Sequence, residues 1–164
     1  MKRILLALNH GYLFFGTTLY VGVLWALHFF WFPSWQHLAV DNYYDQFIPQ
    51  TSTATRFFTI VVPLMILTGA IMVWQEWSTR FRWYPIAALA CLGTATIVGT
   101  LRIIPVNKIL AGHITDQEQL TALLRRWMSL NDIRWVLLTL MWLVLMTYFF
   151  RRGDTLDAIG EGRK

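Results

Sequence analysis

The chain has one cysteine, Cys91, and only 14% of its 164 residues are charged. A lone cysteine excludes an internal disulfide and any cysteine-based metal site. The charged fraction falls well below the roughly 25% usual for soluble domains. No block of lysine or arginine marks a nucleic-acid surface, so the net charge of +5 needs another explanation. There is no phosphate loop, dinucleotide fingerprint, nucleophile elbow or zincin motif. No histidine pair stands at H-x-x-x-H spacing, and no metal is expected. At this length one compact unit is the default.

What is present is apolar. Residues of that kind make up 56% of the chain, with nine Trp and eleven Phe, as in membrane proteins with aromatic belts at both interfaces. Four apolar segments emerge, at 4–32, 57–75, 83–101 and 135–150. The first ends at Pro33. The others lie between Arg56 and Glu76, Arg82 and Arg102, and Arg134 and Arg151. A span needs about 20 residues, and the short fourth segment is helped by flanking arginines that snorkel outward. The start, Met1-Lys2-Arg3, looks like a secretory signal, but its uncharged run is too long and has no small-x-small cleavage site; it is expected to stay as the first span. The expected fold is all-α: an integral membrane four-helix bundle over 1–152, with a polar, loosely ordered tail at 153–164.

With the N-terminus inside, eight basic residues fall on the inner side and six on the outer. This balance places both termini in the cytoplasm of a multi-pass cell-membrane protein. Thr18, Gly22 and Ala26 form a small-residue stripe on the first span, and Ala87, Cys91, Ala95 and Gly99 form one on the third. Such stripes predict that these two helices pack together at the centre. A long outer loop, 33–56, is expected to end at Pro49 and the Thr51-Ser52-Thr53 cluster. Pro105 is expected to limit or bend the third helix. Thr115-Asp116-Gln117-Glu118 reads as a capping box that opens one long helix into the fourth span. Its extramembrane arm carries Leu120, Leu123, Leu124 and Trp127 on one face, suited to rest on the bundle as a lid.

The polar residues concentrate between Arg102 and Arg134. Trp127, Asn131 and Arg134 share a helix face by their spacing of four and three. Arg102 ends the third span, and His28 lies near the outer end of the first. If these converge, they suit a planar, acidic, aromatic molecule. Trp127 would stack, Arg102 and Arg134 would stabilise a phenolate or enolate, Asn107 or Asn131 would orient a carbonyl, and His28 would remove a proton. Spacing alone fits a plainer reading equally: the arginines anchor helix ends and the asparagines tie loop backbone. His28, His37 and His113 fall on one side and would meet near Asp41 or Asp45. His10 stands alone at the other end, so a bis-histidine haem within one chain is not expected.

The run Arg102-x-x-Pro105-Val106-Asn107-Lys108-x-Leu110, followed by Trp127-x-x-x-Asn131-x-x-Arg134, resembles a large four-span membrane family of mostly unknown function. That family includes anthrone oxygenase-like proteins. The glycine-containing first span, His28 and Pro33 also fit. Family members often have a histidine at or just after the position of Asn131. The resemblance implies an oxidoreductase or oxygenase that needs no metal or flavin, so no cofactor is expected. Its substrate would be a lipophilic aromatic or quinone-like molecule, deprotonated so that the carbanion reacts with oxygen. It implies site roles for Pro105, Asn107, Trp127, Asn131 and Arg134, with Arg102 beside them. Two other readings stand beside it: a non-catalytic accessory subunit of a larger membrane complex, and a haem- or quinone-binding redox protein. In each case the expected surroundings are membrane lipids and not nucleic acid.

Overall fold

A computed structural model describes residues 2–161, with side chains at 5, 6 and 8–153. Helix α1 spans Lys2–Ala26 and passes through a π turn, Leu27–Trp31, into α2, Phe32–Trp35. Helix α3 spans Tyr43–Glu76. A 3₁₀ turn, Arg80–Arg82, leads into α4, Trp83–Val98, and a second π turn, Gly99–Ile103, leads into α5, Ile104–Leu110. Helix α6 runs from Gln117 to Glu161. No strand occurs among the described residues. Four stretches are long and apolar enough to cross a membrane: Leu8–Trp35, Tyr43–Glu76, Arg80–Leu110 and Gln117–Gly153. This is the all-α four-helix bundle that the sequence predicts. Its outer face carries Phe15, Ile60, Trp74, Ile97 and other large apolar side chains, a surface suited to lipid.

The four long helices form a square in which α1 and α4 each pack on both α3 and α6. The first and third spans therefore sit on a diagonal and do not form the tight central pair that their small-residue stripes predict. The most extensive packing is α4 on α6. The first-span stripe faces elsewhere: Gly22 is exposed with open space beside it, and Thr18 accepts a hydrogen bond from Trp142 Nε1 at 3.1 Å, while Ala95 of the third-span stripe is buried in the core. Close approach comes instead at Gly16 and Gly69. An added Cβ would lie 3.0 Å from Met65 Cγ at Gly16 and 2.6 Å from Leu89 Cδ2 at Gly69. Missing side chains there let α3 settle against α1 and α4.

Proline shapes the two broken spans in the same way. Pro33 and Pro105 each stand second after a π turn. Proline lacks an N–H, and its ring crowds the carbonyl four residues back. In both spans the preceding turn widens instead of breaking: Phe32 N–H donates to Leu27 O, and Ile104 N–H donates to Gly99 O, each five residues back. The helix thus continues beyond both prolines, where the sequence suggests an end at Pro33 and an end or a bend at Pro105. Pro49 lies inside α3, so the expected loop at 33–56 shrinks to a connection between Trp35 and Tyr43. The threonine cluster does not cap a helix. Thr51 Oγ1 donates to Phe47 O at 2.9 Å, and Thr55 Oγ1 to Thr51 O at 2.7 Å, so these hydroxyls bond back into the helix.

Asp116 caps α6, its Oδ1 accepting from Glu118 N–H at 2.8 Å, one position later than the capping box predicts. The arm is a direct continuation of the fourth span. Leu120, Leu124 and Trp127 are buried beside Phe32, Trp35, Tyr43, Phe47, Val106 and Leu110. They make the arm a wall of a second core, not a lid laid across the first. At its other end α6 continues to Glu161, past the predicted start of a loose tail. No proline interrupts it, and propagating a formed helix is easier than starting one.

The end of the bundle near the termini holds a buried carboxylate. Glu76 is 4% exposed and accepts from Tyr148 Oη at 2.9 Å and from Thr79 Oγ1. Arg152 Nε pairs with it at 3.3 Å, and that guanidinium lies 5.3 Å from the Phe81 ring. This cluster ties the connection between α3 and α4 to the last turns of the fourth span.

Candidate functional site

A cavity of about 490 Å³ lies among all four spans, toward the end that carries the arm. Both π turns border it, through Leu27 and Trp31 on one and Gly99, Thr100 and Ile103 on the other. Widened turns of this kind recur at functional sites because they re-aim side chains and free backbone groups. Trp31, Trp35, Phe58 and Trp127 supply aromatic walls. Thr51, Thr55 and Thr59 line it from α3. Each donates its hydroxyl hydrogen to the carbonyl four residues back, so only their acceptor lone pairs remain. Trp31, Thr59, Pro63, Ile66, Thr100 and Ile104 also line the cavity and are exposed, so it opens sideways through the helix wall. A shallow depression between α1 and α3 shares Val23, Trp31, Gln50, Ala54 and Phe58 with it.

One hydrogen-bonded chain crosses the wall formed by α5 and α6. Trp127 Nε1 donates to Asn107 Oδ1 at 2.7 Å. Asn131, 1% exposed, donates from Nδ2 to Trp127 O at 2.9 Å and accepts Arg134 Nη1 at 2.8 Å on Oδ1. Arg134 Nη2 donates to Tyr20 Oη, and the guanidinium carbon lies 5.4 Å from the Tyr20 ring centre. Tyr20 in turn stacks on Phe58, with ring centres 4.1 Å apart. Arg134 Nε is buried without a hydrogen-bond partner. Gly99 lies against it; a Cβ there would sit 3.8 Å from Cζ and Nε.

Of the six residues singled out from the sequence, Asn107, Trp127, Asn131 and Arg134 line this cavity. Arg102 and His28 do not. Arg102 is exposed on the second π turn. His28 is held on another face of α6, its Nδ1 2.8 Å from Asp132 Oδ1 and its ring stacked on Trp135 at 4.4 Å. His37 is exposed beside Gln36, and His113 stacks on Tyr44 at 3.7 Å, so these histidines do not converge with His28. Among the described residues no three His, Cys, Asp or Glu side chains gather as a metal-holding group. Tyr20 and Gly99 were not singled out as site residues. Tyr20 carried a usable signal, since a phenol in mid-span must find a partner for its hydroxyl. Gly99 was read as part of a packing stripe.

Comparison with protein-family models, curated proteins and solved structures finds no match to this chain. The site must therefore be judged on its own geometry.

Trp127→Phe separates packing from hydrogen bonding in the chain. The ring contacts with Phe47 and Phe32 survive, while Asn107 loses its donor. The expected cost is about 1 kcal/mol, read as a lower thermal midpoint in detergent. An Asn107→Leu, Trp127→Phe double variant should recover part of that loss, because no polar group is then left unpaired.

Proposed function

We propose that this protein binds a lipophilic aromatic or quinone-like molecule in the cavity, with one ligand oxygen against Arg134. The observation that carries this reading is a lone guanidinium, fixed by Asn131 and Tyr20, in a cavity otherwise lined by aromatic, aliphatic and uncharged polar side chains and open sideways between apolar helices. The volume falls within the range of small-molecule sites, and the sideways opening suits a ligand dissolved in the bilayer. The balance of basic residues supports a site on the outer side of the cell membrane, with both termini in the cytoplasm.

The resemblance of the Asn107, Trp127, Asn131 and Arg134 pattern to anthrone oxygenase-like proteins extends this reading to an oxidoreductase. In that reaction an anthrone CH₂ loses both hydrogens. One atom of O₂ becomes the new carbonyl oxygen, and the other leaves as water. Arg134 would stabilise the intermediate enolate. Tyr20, bonded to Arg134, would donate its hydroxyl hydrogen to the same enolate oxygen, while His28, the base suggested by the sequence, lies outside the cavity. Oxygen uptake by the purified protein with an anthrone or a hydroquinone tests the chemistry. Arg134→Ala and Tyr20→Phe should each reduce turnover by at least about tenfold. Unchanged turnover in both would remove the oxidoreductase reading. Binding followed by tryptophan quenching tests the ligand site separately.

A further inference from the structure

Arg134 has no anionic partner. The ion pairs among the described residues are His28 with Asp132 and Arg152 with Glu76, and neither includes it. Its partners, Asn131 and Tyr20, are neutral groups. Asp132 lies two residues away in sequence but is engaged by His28 on another face of the helix. No Asp or Glu lines the cavity, and Arg134 is the one charged residue that does. A guanidinium in such surroundings costs free energy unless a counter-charge arrives. Its two terminal nitrogens are occupied, whereas Nε is buried and unpartnered. The absent side chain of Gly99 leaves that edge of the group uncovered.

From this we infer that the cavity takes its ligand as a lipophilic monoanion, an aromatic carboxylate or phenolate, whose charged oxygen completes Arg134. The inference rests on the proposed ligand site and narrows its chemistry. A neutral quinone brings only a carbonyl dipole to Arg134. An anion brings the missing charge and a charge-assisted hydrogen bond. The threonine wall across the cavity offers acceptors without free hydroxyl hydrogens, so it favours the uncharged or donor-bearing side of such a molecule.

The test uses three tricyclic fluorophores of similar size: anthracene-9-carboxylate, 9-anthraldehyde and 9-anthracenemethanol. Binding to the purified protein in neutral detergent is read by energy transfer from tryptophan. The carboxylate should bind at least about tenfold more tightly than the aldehyde or alcohol. Arg134→Gln should erase that preference while retaining the neutral compounds. Arg134→Lys keeps the charge and should keep the preference, which covers the case in which Arg134→Gln does not fold. Displacement of the carboxylate by laurate but not by dodecanol also supports a monoanion, and moves its source from an aromatic acid to a fatty acid. Equal binding of all three fluorophores to the unaltered protein overturns this inference and leaves the ligand site standing. Binding of none overturns both. A preference that survives in Arg134→Gln, or is lost in Arg134→Lys, overturns the role given to the Arg134 charge.

Discussion

Arg152→Ala is expected to destabilise the bundle by about 3 kcal/mol at neutral pH, read as a fall in thermal midpoint in a fixed detergent. The reason is an asymmetry within the Glu76 cluster. The Glu76 side chain is 5% exposed and the Arg152 side chain 35%. Removing the arginine leaves a buried carboxylate with hydrogen bonds from Tyr148 and Thr79, and a buried charge without its partner is costly. Glu76→Gln should cost less, about 1 kcal/mol, because its amide oxygen still accepts from Tyr148 while Arg152 turns toward water. The order of the two effects is the diagnostic. A larger loss from Glu76→Gln would mean that the carboxylate's hydroxyl partners, not its cation, hold this end together.

Gly99→Leu is expected to lower ligand binding by about a hundredfold, equivalent to about 2.7 kcal/mol, with little harm to the fold. Gly99 has ordinary helical angles, φ −57° and ψ −53°, so no backbone freedom is lost on substitution. An added Cβ meets nothing closer than the Arg134 guanidinium at 3.8 Å. Glycine within a helix costs about 0.8–1.0 kcal/mol relative to alanine, so a better helix former should hold or slightly raise stability. The same leucine would occupy part of the cavity and cover the open edge of Arg134. Titration of anthracene-9-carboxylate, alongside a thermal melt of the same preparation, checks both halves. Full binding by a stable Gly99→Leu protein would place the ligand elsewhere.

The bundle was legible because apolar run length and flanking charge are strong signals in a chain of this composition. Both ends of the helices were less so. Pro49 and the hydroxyl residues after it carry loop chemistry in water, yet inside α3 the hydroxyls of Thr51, Ser52 and Thr55 each satisfy a backbone carbonyl of their own helix. Four of the six predicted site residues share the cavity because Trp127, Asn131 and Arg134 keep helical spacing along α6 and Asn107 reaches Trp127. Arg102 was placed by its depth alone, at the end of the third span, which says nothing of the face it takes. The widened turn after Gly99 buries Ile103 instead and leaves Arg102 outside. His28 lies on the other π turn, where its partner is Asp132. Tyr20 joins the site from the centre of an apolar span, and only the folded arrangement brings it to Arg134.

Each π turn absorbs one extra residue, so everything that follows keeps the phase of a helix one residue shorter, an offset of about 100° from an unbroken α-helix of the same length. Two matched insertions, each set by a proline, adjust the phase of two diagonal spans at the depth of the cavity. A relative lacking one residue within 99–103 could close this turn to a regular α-helix and keep Asn107 against Trp127, whereas the loss of one residue within 104–106 would swing Asn107 away and remove the first link of the polar chain leading to Arg134. Among related chains, single-residue length differences at 27–31 and 99–103 are thus the changes to align first, ahead of substitutions in the cavity wall.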